Sequence, residues 1–162
     1  GIRDKLVTGV QTCALPISKD IPMMLDRITM NNRQVIYGSR HLGASKYSES
    51  FLNKIGLWPK QSLASWAFNI FLTGLIKVKF GIVITDSLTG YKLYPRSIFE
   101  NWVPKTSGFE TDHEITCHLV KNKYQIFEVP IRYYPRSRSE GKKIGMTDAV
   151  KAVKIFAKRE SP

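Results

Sequence analysis

The sequence predicts an α/β domain. Short β-branched runs bounded by turn residues alternate with longer segments whose apolar residues recur at helical spacing. With 162 residues, 43% of them hydrophobic and 23% charged, one core is expected and wholesale disorder is excluded. Two cysteines are too few for a disulfide-stapled scaffold. The longest uncharged run, residues 61–76, contains Gln61, Ser62, Ser65, Asn69 and Thr73 and falls short of a membrane span. The formal net charge of +12 points to a polyanionic partner: nucleic acid, anionic membrane or a phosphorylated substrate.

Residues 1–18, GIRDKLVTGVQTCALPIS, carry no capping signal, no sustained period and no signal-peptide pattern. The string VTGVQTCALPI is similar to a translated sequencing-adapter fragment, so 1–18 are expected to be non-native and 19–162 to form the domain. The alternative is an edge strand over residues 6–10. Setting 1–18 aside removes two basic and one acidic residue and leaves a net charge of +11.

From Lys19, Asp20 is expected to cap a helix over 21–30, with Pro22 tolerated in its first turn. Gln34, Val35, Ile36 and Tyr37 form a short buried strand closed by Gly38-Ser39-Arg40. Residues 41–60, polar with Gly43, Gly56 and Pro59, read as a long mobile connection. Residues 61–76 form a helix through Leu63, Trp66, Ala67, Ile70, Phe71, Gly74 and Leu75. Residues 81–85 read as another β-branched strand and Tyr91–Tyr94 as a strand stopped by Pro95, with a short helix starting at Ser97. A helix follows over 110–121, with Ile115 and Leu119 one turn apart. Residues 125–134 alternate, Phe127, Val129, Ile131 and Tyr133 opposing Glu128, Pro130, Arg132 and Tyr134; Pro130 marks an edge or terminal strand. A basic loop over 135–145 and a helix over 147–158 complete the prediction.

Carboxylates are scarce, which makes each one informative. Asp86 lies between an apolar run and the Thr89-Gly90 turn, where it serves as base, metal partner or sugar-hydroxyl acceptor, or simply caps the turn. Glu110, Asp112 and Glu114 open a helix whose dipole stabilises them; Glu110 also follows Gly108-Phe109, from where it can reach out of a turn. His113 and His118 are five apart and share no helix face, and no ligand-spaced Cys or His pair exists for structural zinc. Cys117 reads as a small core residue. The run holding Arg132, Arg136, Arg138, Lys142 and Lys143 with Gly141 is either a pyrophosphate clamp or a solvated surface.

Four motifs occur in order: VIYGSR (35–40), TDSLTGYKLYPRS (85–97), GFETDHEIT (108–116) and EVPIRYYPRSRSEGKKI (128–144). Together they resemble the C-terminal half of family 2 glycosyltransferases, of the polyprenyl-phosphate, dolichol-phosphate-mannose-synthase-like group. The resemblance implies a partial GT-A fold, a Rossmann-like mixed sheet with flanking helices whose N-terminal nucleotide-binding half is missing. It implies transfer of a sugar from a nucleotide-sugar donor to a polyprenyl-phosphate acceptor. Asp86 takes the acidic position before the TG pair, as the catalytic-site residue. Ser39 and Arg40 of the GSR motif, Glu110, Glu114, and Arg136, Lys142 and Lys143 of the basic loop take substrate-binding positions. The resemblance implies Mg²⁺ or Mn²⁺ in the intact parent, but the aspartate pair that holds it belongs before Lys19, where the foreign-looking segment stands. The chain as given is therefore expected to be inactive.

The resemblance also implies a cytoplasmic protein, peripheral at the inner face of the membrane. The 61–76 helix, with Trp66, Phe68, Phe71, Leu72, Leu75 and Ile76 between Lys60, Lys77 and Lys79, either lies in the lipid interface or is a core element. The competing readings are a basic nucleic-acid-binding module and a membrane-surface module without catalysis. No recognised nucleic-acid motif is present, and no nucleic-acid partner is expected.

Overall fold

The computed structural model describes residues 6–10, 20–28, 33–58, 63–106 and 110–133. The fold is mixed α/β, as the alternating periodicities predict. Its elements in order are β1 (Leu6–Val10), α1 (Ile21–Asp26), β2 (Gln34–Ser39), α2 (Arg40–Tyr47), α3 (Phe51–Lys54), α4 (Leu63–Phe80), β3 (Tyr91–Pro95), α5 (Glu110–Lys121) and β4 (Gln125–Pro130). The strands form one sheet in the order β1-β3-β2-β4. β3 runs antiparallel to both its neighbours, while β2 and β4 are parallel, Val35 opposite Ile126 and Tyr37 opposite Glu128. Leu6–Val10 forms an edge strand paired with β3, and Pro130 ends the strand at the opposite edge.

The two faces of the sheet are covered separately. Val35, Tyr37 and Tyr94 pack with Ile98 against Ile115 and Leu119 of α5. Ile36, Leu93, Val129 and Ile131 pack against Met24 of α1 on the other face. Leu72 and Ile76 of α4 close over Ile84, with half-buried Cys117 and Ile126 beside them. That places α4 next to α5, and Cys117 at the rim of the core rather than deep within it.

Five expectations are corrected. Asp20 sits at the start of α1 but makes no side-chain capping bond. Its buried carboxylate instead accepts from the Arg132 backbone N–H at 2.8 Å and from Arg132 Nη1 at 3.2 Å. β4 stops at Pro130 instead of running to Tyr134 because its one neighbour, β2, ends at Ser39 and passes directly into α2. α1 itself ends at Asp26, short of Met30.

The connection over 41–60 contains two helices rather than an irregular loop. Ser39 caps α2 by accepting from the Leu42 N–H at 3.1 Å. Gly43, which argues against a helix by propensity, is required because a Cβ there would overlap the Ile131 carbonyl; packing overrides propensity. Residues 81–85 form no strand, because the N–H groups that close the segment bond to a side chain, Glu128, instead of a neighbouring strand. The basic loop over 135–145 and the helix over 147–158 lie outside the described residues.

Candidate functional site

The GSR motif ends β2 with Gly38 and Ser39 and opens α2 with Arg40, beside the carboxyl end of the parallel neighbour β4. Open α/β sheets present ligand crevices at this location. The first residue of α2, Arg40, turns its guanidinium onto Asp86. Nε donates to Oδ2 at 2.6 Å and Nη2 to Oδ1 at 2.6 Å, while the Arg40 backbone N–H adds a third bond to Oδ2 at 3.0 Å. The Asp86 side chain is 0% exposed and the Arg40 side chain 17% exposed, so the acid is sealed and the base reaches the surface.

The electrostatics follow from that placement. Burial alone would raise the Asp86 pKa, but the Arg40 charge and its hydrogen bonds hold it below the ordinary carboxylate range. Burial opposes the Arg40 charge, and Asp86 more than restores it, holding the guanidinium above its ordinary value. The bidentate fork leaves the Nη1 edge directed away from Asp86, with Tyr133 also within hydrogen-bonding reach of the guanidinium.

Aromatic rings hold the guanidinium from the sides. Its carbon lies 5.1 Å from the Tyr133 ring centroid and 6.0 Å from that of Trp58. Trp58 in turn meets Tyr133 edge-on at 5.0 Å and His41 at 5.2 Å. The His41 Nε2 lies 3.1 Å from the Asn69 amide of α4. Burial lowers the His41 pKa; Asp86 opposes this and Arg40 adds to it. Gly56 is required against this ring. Its φ is +82°, and a Cβ there would collide with the imidazole.

The expected site residues divide into three groups. Ser39, Arg40 and Asp86 come together, but the Ser39 hydroxyl is fully buried, caps α2 and bonds Thr85 Oγ1 at 2.6 Å. Glu114 lies outside this network: its carboxylate accepts from the N–H groups of Lys105 (2.8 Å) and Thr106 (3.0 Å) and from the Thr106 hydroxyl (2.6 Å), pinning the loop before α5. Glu110 begins α5. Arg136, Lys142 and Lys143 lie outside the described residues. Asp112, expected to be a helix-dipole residue, instead makes a buried ion pair with Lys92 of β3 at 2.7 Å.

Glu128, Trp58, Tyr133, His41 and Asn69 were not singled out as site residues. Glu128 had a signal in the sequence: the alternation over 125–134 places it opposite Phe127 and Val129, an isolated carboxylate on a strand face. Among the described residues no group of three His, Cys, Asp or Glu side chains converges to hold a metal ion. The two nearest carboxylates do not fit one: Asp86 is occupied by Arg40, and Glu128 by the donors of Thr85 and Asp86. Comparison with family models, curated proteins and solved structures returns no match.

Proposed function

We propose that the chain contributes the acceptor side of a site that moves a sugar from a nucleotide-sugar donor onto a polyprenyl phosphate. The observation that carries this reading is the Arg40–Asp86 fork at the carboxyl ends of two parallel strands. A sealed carboxylate and two aromatic rings hold one guanidinium edge ready for an oxyanion. The acceptor phosphate is already ionised near neutral pH, so it needs no strong general base. One of its oxygens forms the new bond to the anomeric carbon as the bond from that carbon to the nucleoside diphosphate breaks. Arg40 orients the acceptor phosphate, and Asp86 positions Arg40 without touching substrate. The donor half of the reaction falls to the basic residues Arg136, Lys142 and Lys143. The residues described here do not fit the metal that the resemblance implies, and no step is derived through one.

The lipid acceptor requires a surface that meets the bilayer, and α4 offers one. Leu63, Ile70, Phe71 and Val78 are exposed along one side of that helix, while Leu72 and Ile76 are buried on the other. Exposed Lys77 and Lys79 in its last turn suit anionic headgroups. Trp66 does not belong to this face; its indole N–H donates to the Ile55 carbonyl at 2.9 Å and ties α4 to the end of α3. No helix among the described residues is long and apolar enough to cross a membrane.

The test is titration of the chain with a short-chain polyprenyl phosphate, the matching polyprenol and a single-stranded oligonucleotide. Binding of the lipid phosphate alone is the expected result. Equal binding of the polyprenol removes the phosphate role. Tight, salt-dependent binding of the oligonucleotide instead makes the chain a nucleic-acid module. In parallel, sedimentation with anionic vesicles is expected to weaken in Ile70→Ser/Phe71→Ser with the circular-dichroism signal intact.

A further inference from the structure

The segment that carries Asp86 has no strand ladder to fix it, yet Asp86 must be held accurately to meet Arg40 with both oxygens. Glu128 supplies the missing constraint. In the parallel register it stands beside Tyr37, and from the edge of the sheet its carboxylate takes three donors from the 85–86 segment. Oε2 accepts from the Thr85 N–H at 2.7 Å and from the Thr85 hydroxyl at 3.0 Å; Oε1 accepts from the Asp86 N–H at 3.0 Å. The Thr85 hydroxyl also meets Ser39 Oγ, the cap of the helix on which Arg40 stands.

We propose that Glu128 is a positioning residue for Arg40, acting through the 85–86 backbone and the Asp86 carboxylate. The chain of contacts runs from Glu128 to the Thr85 and Asp86 N–H groups, then from the Asp86 oxygens to the Arg40 fork. A carboxylate is an electrostatically awkward choice here, since burial and the neighbouring Asp86 charge both push its pKa up. It is nevertheless suited to the task, because each oxygen accepts from a backbone N–H, whereas an amide would turn a donor toward one of them. The bearing of this latch on sugar transfer rests on the reading proposed above; the latch itself does not.

The test follows the Arg40 Nε–H resonance of the full ¹⁵N-labelled chain. In Glu128→Gln its exchange with solvent is expected to speed up at least about tenfold, since hydrogen bonds to a charged group are lost and the 85–86 segment opens. Glu128→Asp, one methylene shorter but still able to accept, is expected to fall between Glu128→Gln and the unaltered chain. Glu114→Gln removes an equally well-bonded carboxylate elsewhere and is expected to leave Arg40 unmoved. An unchanged Arg40 signal in Glu128→Gln overturns the proposal, as does equal acceleration in Glu114→Gln. If Glu128→Gln does not fold, Glu128→Asp is read instead, and an unchanged signal there has the same force. Lipid-phosphate titration of the same samples separates the two claims: a working latch without binding refutes the transfer reading and leaves the latch standing.

Discussion

Two buried ion pairs flank the sheet, and they differ in where their spare hydrogen-bonding capacity points. Arg40–Asp86 stands at the carboxyl ends of β2 and β4, its acid sealed and its guanidinium partly open. Lys92–Asp112 lies between β3 and α5 with both side chains at most 10% exposed, and Lys92 Nζ sits 4.8 Å from the Tyr37 ring centroid. The first pair leaves its guanidinium partly exposed beside Tyr133. The second has only the core around it. A buried pair is thus a site or a strut according to what its outer edge faces, and residue type alone does not distinguish the two.

Asp112→Ala has the largest expected effect. It leaves the Lys92 ammonium buried without its partner, so a loss of about 3–5 kcal/mol in unfolding free energy is expected by urea denaturation. Lipid-phosphate affinity measured on the fraction that stays folded is expected not to change. A loss of affinity at full stability would make Lys92–Asp112 part of the site.

The two regions contribute unequally to the pH dependence. His113 is 1% exposed, and burial, with the Lys92 charge adding to it, pushes its pKa down from 6.5 to about 3. The unfolded chain binds the proton first, so the stability contributed by neutral His113 is complete above 6.5 and lost as pH falls toward about 3. The slope reaches up to about 1.4 kcal/mol per pH unit. Asp86 has the same sign but acts lower, below 3.8, because its folded pKa is depressed from that value. Glu128 has the opposite sign, since a raised carboxylate pKa favours the folded state on acidification. His41 at the candidate site, its pKa also lowered from 6.5 by burial, adds to the early acid destabilisation, but the large depression of His113 makes the α5 side its main source. His113→Gln is expected to flatten most of it in urea titrations across that window. A slope unchanged in His113→Gln would move its source elsewhere.

The elements legible in the sequence were those whose residues report their own burial. α4 and α5 announce themselves by apolar spacing, and β2 and β3 by compact β-branched or aromatic runs. α2 was not legible because Gly43 contradicts it locally and is explained only by the Ile131 backbone, far along the chain. The 81–85 run looked like a strand and is not one, because its closing N–H groups bond to Glu128, 42 and 43 residues away. Within the candidate site, Arg40 and Asp86 were found through the motifs they belong to. Glu128, Trp58 and His41 make their contacts across long sequence separations; Glu128 is marked locally only as an isolated carboxylate on a strand face, and nothing local distinguishes Trp58 or His41 from an ordinary core or helix residue. Asp112 was given the helix-dipole explanation that its position allows, and nothing near it in sequence names Lys92 as its partner.

Arg40→Lys perturbs the first pair at lower energy. Lysine keeps the charge beside Asp86 but loses the planar fork, so stability is expected to fall by only about 1 kcal/mol while lipid-phosphate affinity falls about tenfold. Isothermal titration against the same ligand is the check. Affinity unchanged in Arg40→Lys would show that charge alone, not the oriented edge, recognises the ligand.

The smallest expected effect tests whether the two regions are independent at all. Tyr37 stands between them in the sheet, opposite Lys92 on one side and Glu128 on the other. Its hydroxyl is paired with Thr116 Oγ1 at 2.9 Å, and that hydroxyl in turn donates to the Asp112 carbonyl at 2.7 Å. Tyr37→Phe removes this bond and the hydroxyl's bond with Tyr94 while keeping the ring under Lys92 and its edge contact with the Tyr94 ring. Thr116 retains its bond to the Asp112 carbonyl, while the buried Tyr94 hydroxyl loses its Tyr37 partner, and the expected loss is at least about 1 kcal/mol of stability. Because the hydroxyl points to α5 and not to Glu128, the Arg40 Nε–H resonance and lipid-phosphate affinity are both expected to hold. Movement of the Arg40 resonance in this variant would show that the polar network under α5 reaches the candidate site through Tyr37, and the division between strut and site would have to be withdrawn.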